Sequence, residues 1–205
     1  FYPVFIAVVN KLFGPAVLPV LVLQALAYAI AVAYLAASVA RGAGGLIGAA
    51  FCAAILIVSP VQLGWPRFLL TESFALAGTL WVFAECLRSY DSRRLRVLPL
   101  GVALIFAVMA RWDSILLAVP IAAVGFAVER PARAIGKGLI VALIVTIPIA
   151  AWTTRNIASG LSPVPNTFMK SGEATPWGML MWADTWVTNL YGAQWSYGLA
   201  NRDYE

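Results

Sequence analysis

The chain has 205 residues, 62% hydrophobic and 11% charged, with a net charge of +5 and a mean hydropathy of +0.86. A soluble domain is about 45–50% apolar and about 25% charged, so most of this chain is built for lipid. The apolar runs are continuous rather than alternating, which excludes a β-barrel and leaves an all-α, polytopic transmembrane helical bundle. The positive charge lies in short loops between those runs, where it sets topology; no nucleic-acid partner is expected. The chain has no histidine, so histidine acid–base chemistry and histidine metal sites are excluded within it. Cys52 and Cys86 are isolated in apolar runs and make neither a disulfide framework nor a zinc site.

Residues 1–13 are amphipathic, too short to span and carry Lys11, so they read as an interfacial helix ended by Gly14 and Pro15. Six spans follow, at about residues 16–39, 46–60, 70–87, 97–110, 114–128 and 138–153. The fourth and fifth are shorter than the roughly 20 residues of a simple span and need flanking residues or a bundle around them. Residues 157–205 hold no further apolar run and read as a water-facing segment beside a membrane domain of residues 1–156. The chain starts in an aromatic phrase without a basic leader and ends without a structural stop, so it reads as an internal piece of a longer protein.

The loops sort into two sets. Arg41, Arg88, Arg93, Arg94, Arg96, Arg130, Arg133 and Lys137 crowd three short loops on one side, which the positive-inside rule makes cytoplasmic. The other side carries Lys11, Arg67, Arg111 and Arg155 near the membrane, six of the nine acids and seven of the eight tryptophans. Residues 58–73, between the second and third spans, end there on Glu72. A carboxylate at the mouth of a membrane helix is expensive and rarely idle. Glu72 and Asp113 are the candidate catalytic acids, able to take a proton or orient a hydroxyl. Arg67, Arg111 and Arg155 are candidate phosphate binders, since guanidinium stays charged in a low dielectric and binds phosphate bidentately. Each also has a plain alternative. Thr71, Glu72 and Ser73 can be N-terminal helix capping. Arg67 and Arg155 can be snorkelling anchors, Arg111 and Asp113 a pair closing a turn, and the tryptophans an interfacial belt. Glu85 and Arg88, three apart, read as a simple helical pair at the cytoplasmic end.

The opening FYPVFIAVVNKLFG, the phrase RFLLTESF after a proline-containing loop, the RWDSILLAVP turn and AWTTRN resemble integral-membrane glycosyltransferases of the GT-C fold. The nearest branch is the protein O-mannosyltransferase and aminoarabinose-transferase type, and the resemblance covers about residues 1–160. It implies inverting transfer of a sugar from a polyprenyl-phosphate donor to a lipid, glycan or protein acceptor on the outer face. It also implies a main catalytic acid in a first outer loop, which would lie before Phe1, and a supporting acid at Glu72. Some members bind a divalent cation through histidine; here any cation would need oxygen ligands, and no metal or other cofactor is expected. The expected setting is a bacterial cytoplasmic membrane with the site facing outward. Two other readings stay open at this point, a lipid or solute transporter or flippase and a non-catalytic membrane subunit.

Overall fold

The computed structural model describes residues 2–14, 17–42, 44–58 and 72–158. Among these the chain is all helical, with no strand. The helices are α1 (Tyr2–Phe13), α2 (Val17–Arg41), α3 (Gly45–Val58), α4 (Glu72–Asp91), α5 (Val97–Ala110), α6 (Ala118–Val128) and α7 (Pro131–Ala158), with a 3-10 segment, Trp112–Leu117, before α6. Arg67 and the tail tryptophans Trp177, Trp182, Trp186 and Trp195 lie outside the described residues. The chain divides into two units, Phe1–Ile149 and Ala150–Glu205, and the division falls just after Pro148 within α7. Proline there removes one helical hydrogen bond.

Two helices, Leu18–Arg41 and Pro131–Ala158, are long and apolar enough to cross a membrane. Both leave most of that length uncovered by protein: 28% and 17% of their apolar windows are buried, so neither behaves as the core helix of a soluble fold. Their uncovered residues form stripes at helical spacing. Leu18, Val22, Leu26 and Ile30 are exposed on α2, and Ile135, Leu139, Leu143 and Ile147 on α7. Stripes of this size suit contact with acyl chains. Helices α3 and α5, at 14 residues each, would be about 21 Å long, short of the roughly 30 Å hydrocarbon core. The sixth apolar run differs from the expectation at its start. Pro131 opens α7 as its first helical residue, so Arg133 and Lys137, read as loop, are helical.

Unit Phe1–Ile149 is organised around α4. Twelve of its 20 residues are buried, so it is the central helix rather than a lipid-facing one. Ala77, Leu80 and Ala84 pack against Ala31, Val32 and Leu35 of α2. Val82 and Cys86, on another face, join Leu100, Ala103, Leu104 and Val108 of α5, Ile121 of α6 and Val141 and Val145 of α7. A third cluster closes the start of α4, where Phe74 packs edge-on against Phe5 of α1 at 4.7 Å and Phe106 of α5 at 5.7 Å. Between α2 and α3 the Tyr28 hydroxyl donates to the Leu56 carbonyl at 2.8 Å, in the last turn of α3 where carbonyls lack helical partners.

The connections after α2, α4 and α6, with arginines in or beside each, meet at one end of this unit. Asp91 lies against Gly42, so close that a Cβ there would sit 3.2 Å from Oδ2. The Leu95 amide donates to Glu129 Oε1 at 3.2 Å, and Lys137 binds the same oxygen. The Lys137 hydrogen bond first, and the Leu95 amide after it, hold the Glu129 carboxyl below its ordinary value. Since α4 runs from Glu72 to Asp91, this end and the Glu72 end are about 30 Å apart.

Gly78 of α4 faces Ala107 of α5 in a close contact. A Cβ on Gly78 would come within 2.8 Å of both the Ala107 Cα and Cβ, and helix backbone cannot yield as a side chain can. Gly78→Ala is therefore expected to destabilise by about 1–3 kcal/mol. Gly136→Ala, with nothing within 4 Å of the new atom, should be neutral or stabilising. Thermal unfolding of both variants in one detergent checks the contrast.

Candidate functional site

The sequence places Glu72, Arg111 and Asp113 on three different elements, and the fold brings them together. Glu72 is the first residue of α4 and only 8% exposed. A carboxylate suits that position because the first-turn amides and the positive end of the helix dipole both favour it. Arg111 follows the last residue of α5 in extended backbone (φ −145°, ψ 127°), which ends the helix and turns its side chain off the α5 axis. Asp113 lies in the first turn of the 3-10 segment.

The Arg111 guanidinium bridges the two acids. Its Nη1 donates to Glu72 Oε1 at 3.0 Å. Its Nε and Nη2 donate side by side to Asp113 Oδ1 and Oδ2 at 3.1 and 2.9 Å, the bidentate fork that fixes a carboxylate in one plane. The Glu72 side of the bridge is buried, while the Asp113 side chain is 57% exposed. The Asp113 hydrogen bond is the main influence holding the Arg111 guanidinium charged, and its reciprocal holds the Asp113 carboxyl below its ordinary value. The buried Ser73 hydroxyl, next along α4, makes no hydrogen bond. Beneath the group lies the aromatic cluster of Phe5, Phe74 and Phe106.

This geometry sharpens the roles read from sequence. Arg111 serves as counter-ion to two carboxylates. Its Nε, Nη1 and Nη2 each donate to one of those carboxylates. Arg155 belongs to the second unit, where its guanidinium lies 5.2 Å over the Trp152 ring and donates to Asn156 Oδ1 at 3.3 Å. Arg67 lies outside the described residues. No group of three or more acids or cysteines among the described residues is placed to hold a metal ion.

A second polar group was missed. Glu85 is 1% exposed in α4, and Arg88, its expected partner, does not pair with it directly. Instead the Tyr34 hydroxyl of α2 donates to Glu85 Oε1 and accepts from Arg88 Nη1. Arg96, at the start of α5, lies 2.7 Å from Glu85 Oε2, a close ion pair outside hydrogen-bond alignment. Arg88 also stacks over the Tyr34 ring at 4.2 Å and donates from Nε to Ser38 Oγ at 3.2 Å. The signal was in the spacing. Tyr34 and Ser38 on α2, and Glu85 and Ser89 on α4, are each four apart, so each pair marks one helix face.

Comparisons with protein-family models, with curated proteins and with solved structures return no match.

Removing Arg111 alone takes from the buried Glu72 carboxylate its ion-pair partner at 3.0 Å. Arg111→Met is expected to cost about 3–5 kcal/mol. The double variant Glu72→Gln with Arg111→Met should recover a large part of that loss. Chemical unfolding of the wild type, both single variants and the double variant gives the coupling. Additive losses would show that the pair does not interact.

Proposed function

We propose that this chain is the membrane domain of a glycosyltransferase. It would move a sugar from a polyprenyl-phosphate carrier to an acceptor hydroxyl at the Glu72 end, with six membrane passes and that end facing outward. The observation that carries the reading is the Glu72–Arg111–Asp113 bridge: a buried acid and a partly buried arginine holding a second, exposed carboxylate at the mouth of the bundle. Support also comes from the charge difference between the two ends, because the arginine-rich loops lie about 30 Å away and mark the cytoplasmic side.

In this reading the acceptor is a lipid, glycan or protein hydroxyl. It hydrogen-bonds Asp113, whose ionised form Arg111 maintains. As the hydroxyl oxygen bonds to the anomeric carbon, the bond from that carbon to the phosphate oxygen breaks. The polyprenyl phosphate leaves with the electron pair, and the hydroxyl proton passes to a carboxylate. A carboxylate held low is a weak base, so Asp113 orients the hydroxyl and takes the proton late. Glu72 acts through Arg111, fixing the plane of the fork. Arg155 and Arg67 are assigned to the donor phosphate on their sequence positions alone.

A transporter is the second reading. It is favoured by Gln24, fully buried in α2, and by the buried Glu85 group, since transporters set polar side chains inside the membrane.

Transfer from a radiolabelled polyprenyl-phosphate sugar by the full-length protein separates the two. Asp113→Asn should lower turnover by about 10²-fold or more. Glu72→Gln should lower it as well, with helix content unchanged in both. Wild-type turnover in both variants contradicts the site. Sugar uptake into liposomes with no transfer product favours the transporter.

A further inference from the structure

The end of unit Phe1–Ile149 opposite Glu72 presents five exposed arginines, Arg41, Arg93, Arg94, Arg130 and Arg133, against one exposed acid, Asp91. The other acids near it are engaged inside the protein, Glu85 with Tyr34 and Arg96, and Glu129 with Leu95 and Lys137. The arginines share one platform, because the Asp91–Gly42 contact and the Leu95–Glu129 hydrogen bond join their three loops.

Helix dipoles explain only part of this crowding. Arg41, Arg93 and Arg94 lie at helix C-termini, where cations are favoured. Arg130 and Arg133 lie at the N-terminus of α7, where the dipole opposes them. Backbone geometry points the same way. The turn after α4 closes with the Arg94 amide on the Ser89 carbonyl and the Arg93 amide on the Tyr90 carbonyl, both at 3.1 Å. This is the Schellman pattern, whose left-handed residue is ordinarily glycine. Here it is Arg93, at φ +52°, an arginine kept in a conformation that disfavours any side chain.

The position of the platform identifies what it meets. Leu46 and Ile47 on α3, Leu98 on α5 and Ile135 on α7 are exposed within about a turn of these loops. The arginines therefore stand where an apolar, lipid-facing surface gives way to water, which is the level of headgroup phosphates and not of a soluble acidic protein.

We propose that this platform, centred on the strained Arg93 turn, holds the phosphates of anionic phospholipids. The inference rests on the membrane reading of the chain and is independent of the transfer reaction.

Native mass spectrometry of the full-length protein in a neutral detergent, with equimolar phosphatidylglycerol and phosphatidylcholine, tests it. The wild type should retain phosphatidylglycerol about tenfold over phosphatidylcholine. High salt should weaken that preference. The triple variant R93G/R130Q/R133Q should bring the ratio near one, while R93K/R130K/R133K keeps the preference. R93G alone should unfold at a higher temperature than wild type in lipid-free detergent, since glycine relieves the turn. Equal retention of both lipids by the wild type overturns the proposal, as does an unchanged preference in the glutamine-containing triple variant or a lost one in the lysine variant. A protein that stays monodisperse without detergent and binds neither lipid overturns the membrane reading beneath it.

Discussion

The constraint on which the rest of the fold depends is that α4 is buried on two faces yet carries acids near both its ends. Glu72 and Glu85 are 13 residues apart, about 20 Å along the helix. Each stands beside a guanidinium, and burying a charge without a partner is costly. Helix α5 supplies both. Arg96 stands before its first residue and Arg111 after its last, so the antiparallel neighbour brings one guanidinium to each acid. The two ion pairs clamp α4 and α5 at either end of a close contact set by Gly78 and Ala107. A one-turn slip of α5 along α4 would break both pairs and drive Gly78 off its small partner.

Much of this was legible in the sequence, and the limit has a physical cause. Continuous apolar runs announced helices, and breaks at Gly14 and at the 111–113 turn ended them near where the chain does end them. The sorting of arginines into three loops also foretold that those loops share one end, because charge at a helix terminus follows from topology alone. Pairing across helices did not follow. Glu85 has Arg88 one turn away, and local spacing favours that pair; packing instead turns Glu85 toward Tyr34 and Arg96, which is 11 residues distant in sequence. The same holds for half of the Arg111 bridge. A turn-closing pair with Asp113 is open to the sequence, but only the approach of α4 adds Glu72 to the same guanidinium. Basic residues at 133 and 137 read as loop because charge outweighed periodicity, although Pro131 is a good first residue for a helix.

The two ends of the unit thus have different chemistry on one scaffold. At one end a buried acid and a partly buried arginine hold an exposed carboxylate, next to an aromatic cluster. At the other, exposed arginines crowd around a strained turn. The apolar stripes of α2 and α7 lie between, uncovered by protein. The double clamp between α4 and α5 fixes the two ends in register.

The central claim is that these two ends lie on opposite faces of a membrane. Cysteine labelling tests it most directly, after Cys52 and Cys86, both in helices, are replaced by alanine. A single cysteine is then placed at Asp113 or at Arg94, and sealed right-side-out vesicles are treated with a membrane-impermeant maleimide. The account predicts that the Asp113→Cys protein reacts in intact vesicles and that the Arg94→Cys protein reacts only after they are opened. Equal labelling of both positions in intact vesicles, or labelling of Arg94→Cys alone, would contradict it.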